Sequence, residues 1–497
     1  MKRIFPQIFY NPLSLIGAVV VLFNIGLIIF LTIVELLTKH PKPYADIIIF
    51  IILPVIVLCG LILVVIGIVR EKRRQSAGEP QERRLPIIDF NDPRYRIMGV
   101  VLGGGFVLLS LLYAFASYKA YQFMESDTFC MLCHSVMSPE STAHAFSPHA
   151  EVGCVVCHVG SGAEYFFLSK LNGTGQLYSF VLNKYHRPIP VPVKNLRPAE
   201  DTCKTCHGPQ YSPSEILKLT THFLSDKTNT KWTIDLLLNM GKGRIETDNP
   251  LRIHWHATVA KEICYAATDP KRVVIPWIKV TGFDGKERIY RSTENKITSK
   301  ELDSAEKRVM DCIDCHNREG HFFRPPAQVL NAYLQGKLID PSLPQIKSIA
   351  VHALENTYSS RLVAGDGIKQ MIMEFYQKTY PDVVSSKKGE IEKAITEVQN
   401  IYRRNYDPFM KVSWKNFPDN AGHTYSLGCF RCHDGKHMSS DGKVLSKDCS
   451  TCHLLITHTG DQSKGQAVFA PASYPHPVDI RDAYKEMNCT ECHGAGN

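Results

Sequence analysis

Free cysteine is almost absent from this 497-residue chain: fourteen of its sixteen cysteines fall in Cys-x-x-Cys pairs, leaving only Cys59 and Cys264. So small a remainder excludes a disulfide framework, and structural disulfides have no reason to repeat one local spacing seven times. Cys59 lies midway along an apolar run and Cys264 far downstream, so a bond between them is not expected. Basic residues are also sparse between the first two apolar runs, where "TKHPKPYAD" holds only Lys39 and Lys42. The net charge of +9 is therefore not a general basic surface. Eight Lys or Arg are concentrated from Arg70 to Arg96, and nucleic acid is not an expected partner.

Every cysteine pair carries a histidine. Cys130/Cys133, Cys154/Cys157, Cys203/Cys206, Cys312/Cys315, Cys429/Cys432, Cys449/Cys452 and Cys489/Cys492 are followed at once by His134, His158, His207, His316, His433, His453 and His493. With 20 histidines in the chain, seven successes in seven pairs by chance is on the order of one in several billion. The histidine belongs to the motif, and Cys-x-x-Cys-His is the attachment signature of c-type haem. Two thiols three positions apart on a helical turn reach both vinyl groups of one porphyrin, while the next imidazole comes up beneath the iron. A zinc ribbon pairs two Cys-x-x-Cys units about one ion and needs no such histidine. A thioredoxin-like motif occurs once, on a β-α-β background. Seven covalently bound c-type haems, with the motif histidines as proximal iron ligands, are the expectation.

Haem of this type is attached outside the cytoplasmic membrane, and the first 120 residues test that independently. Leu13 to Leu37, Ala45 to Val69 and Ile97 to Tyr118 are apolar runs of at least 20 residues, each able to cross a hydrocarbon core of about 30 Å. A cleavable signal peptide explains one run, not three. The basic loop after the second run is cytoplasmic by the positive-inside rule, the short loop after the first is external, and Lys2 and Arg3 sit inside. Three crossings then deliver the cysteine motifs outside, as attachment requires.

The expected fold is a mainly α and irregular multihaem cytochrome c: three N-terminal transmembrane helices, then a haem-filled periplasmic domain with a small β-rich insert. The motif starts are separated by 24, 49, 109, 117, 20 and 40 residues, so the fourth stands alone between two long inserts. This divides the chain into a membrane anchor (1–119), a region with the first three motifs (120–210), a β-containing insert (211–310), the fourth motif with a helical region (311–428), and the last three motifs (429–497). In the β insert, "RVVIPWIKVTGFDGKERIYRS" reads as a hairpin about Asp284-Gly285. In the helical region Ile391, Ile395, Val398, Ile401 and Tyr402 share one face, as do Ile368, Met371, Ile372 and Phe375. With roughly 55 external residues per haem, much of the core is expected to be porphyrin.

Axial ligation decides whether a haem passes electrons only or also binds substrate. The candidate distal ligands are His144, His149, His222, His254, His256, His321, His423, His437, His458 and His476, with Met137 for the first haem. A thioether raises a haem potential relative to a second imidazole, which suits a haem where electrons enter.

The run "FCMLCHSVM" directly after a membrane helix, then "HAFSPHAEVGCVVCHVG" and "AEYFFLSKLNG", resembles the NapC/NirT family of membrane-anchored quinol dehydrogenases over roughly residues 97 to 210. Beyond it, "AEDTCKTCHGPQ", "RIHWHA", "VMDCIDCHNREGHFFRPP" and "MKVSWKNFPDNAGHTYSLGCFRCHDGKH" resemble longer multihaem cytochromes with such a front end, found in metal-respiring bacteria. The resemblance implies oxidation of menaquinol at the outer face of the inner membrane and transfer to periplasmic c-type cytochromes. It also implies a lysine near the first haem and the quinol, matched by position by Lys170. The chain departs from the family in placing Met137 three residues past the motif histidine, and in lacking a carboxylate in "LNGTGQL" after Lys170.

Quinol releases two electrons and two protons, whereas haem takes one electron and no proton, so a proton acceptor must stand beside the first haem. Glu35, at the external end of the first span, is a candidate by position, with His40, Asp46, Lys119 and Glu125 nearby in sequence topology and Lys170 by resemblance. A terminal reductase with one open iron and a passive electron wire docked to another dehydrogenase are the alternatives. The oligomeric state stays open.

Overall fold

The computed structural model describes residues 11–37, 52–76, 91–160, 163–193, 197–208, 215–241, 252–258, 261–460, 463–467 and 476–494. It divides into two compact units, residues 1–133 with 153–183, and residues 134–152 with 184–497.

In the first unit, α1 (Pro12–Leu37) begins at Asn11, whose Oδ1 accepts the Ser14 N–H at 2.8 Å, with Pro12 in the first turn. It packs along α2 (Leu53–Ser76) through small residues: a Cβ on Gly17 would meet the Gly60 carbonyl oxygen at 2.6 Å. Ser14 Oγ donates to the Val64 carbonyl at 3.0 Å across the same seam. Close backbone approach of this kind is how helices associate where lipid removes the hydrophobic drive. Pro12–Leu31 and Leu53–Arg74 are long and apolar enough to cross a membrane, with mean hydropathy 2.7 and 2.8. The third apolar run lies inside α3 (Pro93–Met124), a 32-residue helix of about 48 Å. Of two later helices outside the motifs, α4 (Ser138–Ala145) belongs to the second unit and α5 (Ala163–Val181) to the first.

The second unit has two antiparallel sheets and a helical bundle. Strands β1 (Glu215–Phe223), β2 (Lys231–Asn239), β8 (His453–Gly460) and β9 (Ser463–Ala467) form one sheet in the order β1-β2-β8-β9. Strands β3 (Glu262–Ala266), β4 (Trp277–Thr281), β5 (Glu287–Ser292), β6 (Lys307–Val309) and β7 (His437–Ser439) form the other, ordered β6-β3-β4-β5-β7. The hairpin read from sequence is β4–β5, turned by Gly285 at φ 76° with Asp284 Oδ1 accepting the Lys286 N–H. Both sheets recruit strands from beyond residue 430, so sheet structure is not confined to the insert.

The bundle comprises α6 (Pro326–Gln335), α7 (Ile346–Glu355), α8 (Arg361–Thr379) and α9 (Lys388–Asn405). Ile391, Ile395, Val398, Ile401 and Tyr402 are buried, as are Ile368, Ile372 and Tyr376; Met371 and Phe375 pack partly buried at the edge. This core is aliphatic and aromatic side chain throughout, which confines the expected porphyrin-rich interior to the rest of the unit. Asn229 staples the bundle to the β1–β2 hairpin. Its Nδ2 donates to the carbonyls of Pro341 (2.9 Å) and Leu343 (2.8 Å), and its Oδ1 accepts the Lys347 N–H at 3.1 Å.

Candidate haem sites

The cysteine motifs fold in short helical segments or turns, and for several the flanking residues say why. Asp311, Asp448 and Asn488 directly precede a first cysteine and cap the turn; Asp311 and Asn488 form capping boxes with Asp314 and Glu491. The N–H groups of His207, His316 and His433 donate to the carbonyls of Cys203, Cys312 and Cys429 at 2.8, 2.8 and 3.0 Å. That closed turn puts the two thiols on one side with the imidazole beside them.

Spacing treats the two thiols of a motif alike, and the structure adds their difference in exposure. The first cysteines Cys130, Cys154, Cys203, Cys312, Cys429 and Cys489 are half-buried, with Cys449 exposed. Of the second cysteines, Cys157, Cys206 and Cys492 are exposed, whereas Cys315, Cys432 and Cys452 are half-buried. Cys133 ends the helix Asp127–Cys133, and its side chain lies outside the described residues. The difference follows from neighbours. Cys315 lies near Cys429, Cys432 near Cys315 and Cys452 near Cys429, so the fourth to sixth motifs bury one another's thiols. Cys157, Cys206 and Cys492 belong to motifs outside that cluster, and the protein packs their first thiol more closely than their second.

Opposite five of these turns stands a second imidazole. Ring centroids are 6.0 Å apart for His149 and His207, 6.4 Å for His254 and His316, 5.8 Å for His256 and His433, 6.2 Å for His423 and His453, and 6.1 Å for His476 and His493. With metal–imidazole bonds of about 2.0–2.1 Å, two imidazoles trans across one ion have centroids roughly 6.3 Å apart. A sixth pair, His144 and His321 at 5.9 Å, contains no motif histidine.

The ring nitrogens are arranged to match. Nδ1 lies against the Ile253 carbonyl in His256 (2.9 Å), the Ser446 carbonyl in His433 (3.1 Å), the Glu140 carbonyl in His321 (2.9 Å) and Glu319 Oε1 in His316 (2.6 Å). An acceptor there requires Nδ1–H and leaves the Nε2 lone pair for iron. Burial holds His254, His256, His433 and His453 below the ordinary histidine pKa, and His423 at about 4, which favours the neutral, ligating form. Arg318, buried over the Phe417 ring at 4.4 Å, has Nη2 without a hydrogen-bond partner among the described residues. A haem propionate is the kind of anion such a cation needs. The residues therefore fit c-type haem.

Two further sequence candidates, His437 and His222, have ring nitrogens held by the protein itself. His437 is buried in β7 with both nitrogens engaged, Nδ1 to Asp434 Oδ1 at 2.9 Å and Nε2 to the Ile275 carbonyl at 2.6 Å. Two acceptors demand an imidazolium, and despite the downward pull of burial these bonds raise its pKa. Those two bonds give it a structural role in β7. In His222, Nδ1 faces Asn331 Nδ2 at 3.2 Å, and the amide is oriented because Asn331 Oδ1 accepts the Phe223 N–H. Nδ1 thus accepts from the amide. Burial, helped by Lys347 and His493, lowers its pKa to about 4.

Met137 ends the turn Ser135–Met137, half-buried, its N–H donating to the His134 carbonyl at 2.8 Å. Lys119 and Glu125 lie near the end of α3 and just past it, Lys119 with Nζ 3.4 Å from Gln122 Oε1. His40 and Asp46 and the side chains of Glu35, Lys170 and His458 lie outside the described residues.

Within each unit successive motifs also touch, which no spacing argument could reveal. In the first unit the Cys154 N–H donates to Asp127 at the turn of the first motif, and Cys154 feels the charge of Cys130. In the second, the Cys203 thiol of the third motif lies beside the Cys312 thiol of the fourth. Arg431 of the fifth donates to the Asp314 carbonyl of the fourth at 2.6 Å. Cys452 of the sixth neighbours Cys429, and Cys489 of the seventh neighbours Cys449.

Haem-attachment turns, facing imidazoles and membrane-length helices on one chain define a membrane multihaem c-type cytochrome that carries electrons. Comparison places it more closely. Residues 92–215 match the NapC/NirT cytochrome c family, N-terminal region, and residues 422–496 match cytochrome c3. The chain is 41% identical over 489 residues to the cytochrome c-type protein ImcH of Geobacter sulfurreducens, covering 98% of this chain and 95% of that one. A probable tetraheme cytochrome c-type protein of Nitrosomonas europaea is 26% identical over 137 residues, 24% of this chain and 58% of that one. No solved structure matches. The chain belongs to the family of ImcH, with a NapC/NirT front end.

Proposed function

We propose that the protein is a quinol dehydrogenase that oxidises menaquinol at the outer face of the inner membrane and passes electrons through seven c-type haems to periplasmic cytochromes. The observation that carries this reading is the run of attachment turns in the second unit, the third to seventh motifs in contact and each faced by an imidazole at iron-spanning distance. Bound haem iron supplies one-electron transfer without a proton. The fourteen motif cysteines attach the porphyrins, the exposed Cys157, Cys206 and Cys492 among them, and the seven motif histidines ligate from the proximal side. His149, His254, His256, His423 and His476 serve the third to seventh motifs from the distal side. His144, His321, His458 and Met137 are further distal candidates. Three membrane crossings by α1, α2 and α3 put this apparatus in the periplasm.

Lys170, Glu35, His40, Asp46, Lys119 and Glu125 form the quinol pocket, where a carboxylate or imidazole takes the quinol protons as the electrons leave. Anaerobic mixing of the detergent-solubilised protein with a reduced menaquinone analogue tests the reading. Prompt reduction of several haems by their absorption bands supports it. No reduction, while dithionite reduces all seven, sinks it in favour of a wire fed by a partner. Replacing Lys170 and Glu35 together is expected to slow quinol oxidation at least tenfold with dithionite reduction unchanged.

A further inference from the structure

The fourth and fifth motifs are joined on both sides of their haem sites. On the distal side one tripeptide serves both: His254 faces His316 and His256 faces His433, with Trp255 between them. The tripeptide is held at the end of β2, the N–H groups of Ile253 and His254 donating to the carbonyls of Asn239 (2.9 Å) and Met240 (3.1 Å). On the attachment side the clamp is Arg431, the residue before Cys432. Its Nη2 donates to the Asp314 carbonyl at 2.6 Å, its Nε to the Gly428 carbonyl at 2.8 Å and its Nη1 to the Arg272 carbonyl at 3.0 Å. Asp314 is the residue before Cys315, so the two attachment turns share one guanidinium.

The charges there are unequal in their pairing. The Asp314 carboxylate, 3% exposed, is taken up by Tyr265 Oη (2.6 Å), Arg308 Nε (2.8 Å) and the Asp311 N–H (2.8 Å), with Arg272 Nη1 at 3.6 Å. Arg431, 9% exposed, bonds carbonyls alone and has no carboxylate partner among the described residues. Gly428 is required for this arrangement, since at φ 46° a Cβ would lie 1.7 Å from the Gly422 carbonyl oxygen.

We propose that Arg431 is a positioning residue that fixes the fourth and fifth haem sites as one pair and, by its buried charge, raises the potential of both above that of their neighbours. This rests on the axial assignment made above. Ferric haem carries one positive charge more than ferrous, so a fixed cation between two sites disfavours the oxidised form of each, most strongly where water is excluded. A pair raised in this way holds electrons midway along the file until a partner is available.

The test is a stepwise potentiometric titration of the purified holoprotein, followed by haem absorbance and low-temperature EPR, for wild type, Arg431→Met and Arg431→Lys. The expected result is a downward shift of two midpoint potentials in Arg431→Met, the others unmoved, with Arg431→Lys restoring most of the shift. Unchanged potentials in Arg431→Met, or an equal shift in Arg431→Lys, overturn the proposal. Should Arg431→Met bind fewer haems than wild type, Arg431→Gln keeps a donor to the Asp314 carbonyl without the charge and is held to the same two outcomes. Failure of the underlying axial assignment is read separately: His254→Met and His256→Met would then leave every bis-imidazole EPR signal intact.

Discussion

At the scale of a residue, the same side chain does opposite jobs according to what meets its two nitrogens. His256 donates Nδ1–H to a carbonyl and turns Nε2 toward His433, whereas His437 spends both nitrogens on acceptors. His256→Met is expected to keep its full covalent haem content but to lose one bis-imidazole low-spin signal, read by EPR and magnetic circular dichroism. His437→Leu is expected to leave haem content unchanged and to destabilise the fold by about 2–4 kcal/mol, because Asp434 and the Ile275 carbonyl lose their donor. His437 has a raised folded pKa, so its contribution is fully present below the ordinary histidine value and disappears as pH rises through the raised one. Denaturation of wild type across that window should therefore show a loss of stability with rising pH that His437→Leu lacks. Histidine positions were legible in the sequence, but the acceptors that sort them were not. Ile275 lies 162 residues from His437 and Glu140 181 residues from His321. The same holds for thiols: the motif names Cys157, Cys206 and Cys492 as readily as Cys432, and only packing separates the exposed from the half-buried.

At the scale of elements, periodicity and turn chemistry read well because they are local. The α9 stripe and the β4–β5 hairpin form where their residues indicate. The bundle's attachment to the sheet was not readable, because Asn229 reaches partners more than 100 residues away from a left-handed turn position at φ 47°. Asn229→Ala strips three hydrogen bonds from a buried seam and is expected to cost about 2–4 kcal/mol in urea unfolding followed by far-UV circular dichroism. Between the membrane helices, Gly17→Ala should force α1 from α2, since the added carbon falls 2.6 Å from a carbonyl oxygen. The expected cost is about 1–3 kcal/mol, read as a lower thermal midpoint in detergent.

At the scale of the whole molecule, the sequence by itself determined the covalent chemistry, since a Cys-x-x-Cys-His turn is complete within five residues and needs nothing from afar. It also carried the apolar runs, two of which form helices long and apolar enough to cross a membrane, because helix length and hydropathy are local. Only the tertiary structure decided which imidazole faces which turn, and that the third to seventh motifs touch in order. Those are contacts between segments far apart in the chain, fixed by strand register and by buried groups such as Arg431 and Asp314. Spacing along the chain carries no record of them, because a distal ligand is chosen by where its strand or turn is held, not by how many residues separate it from the cysteines.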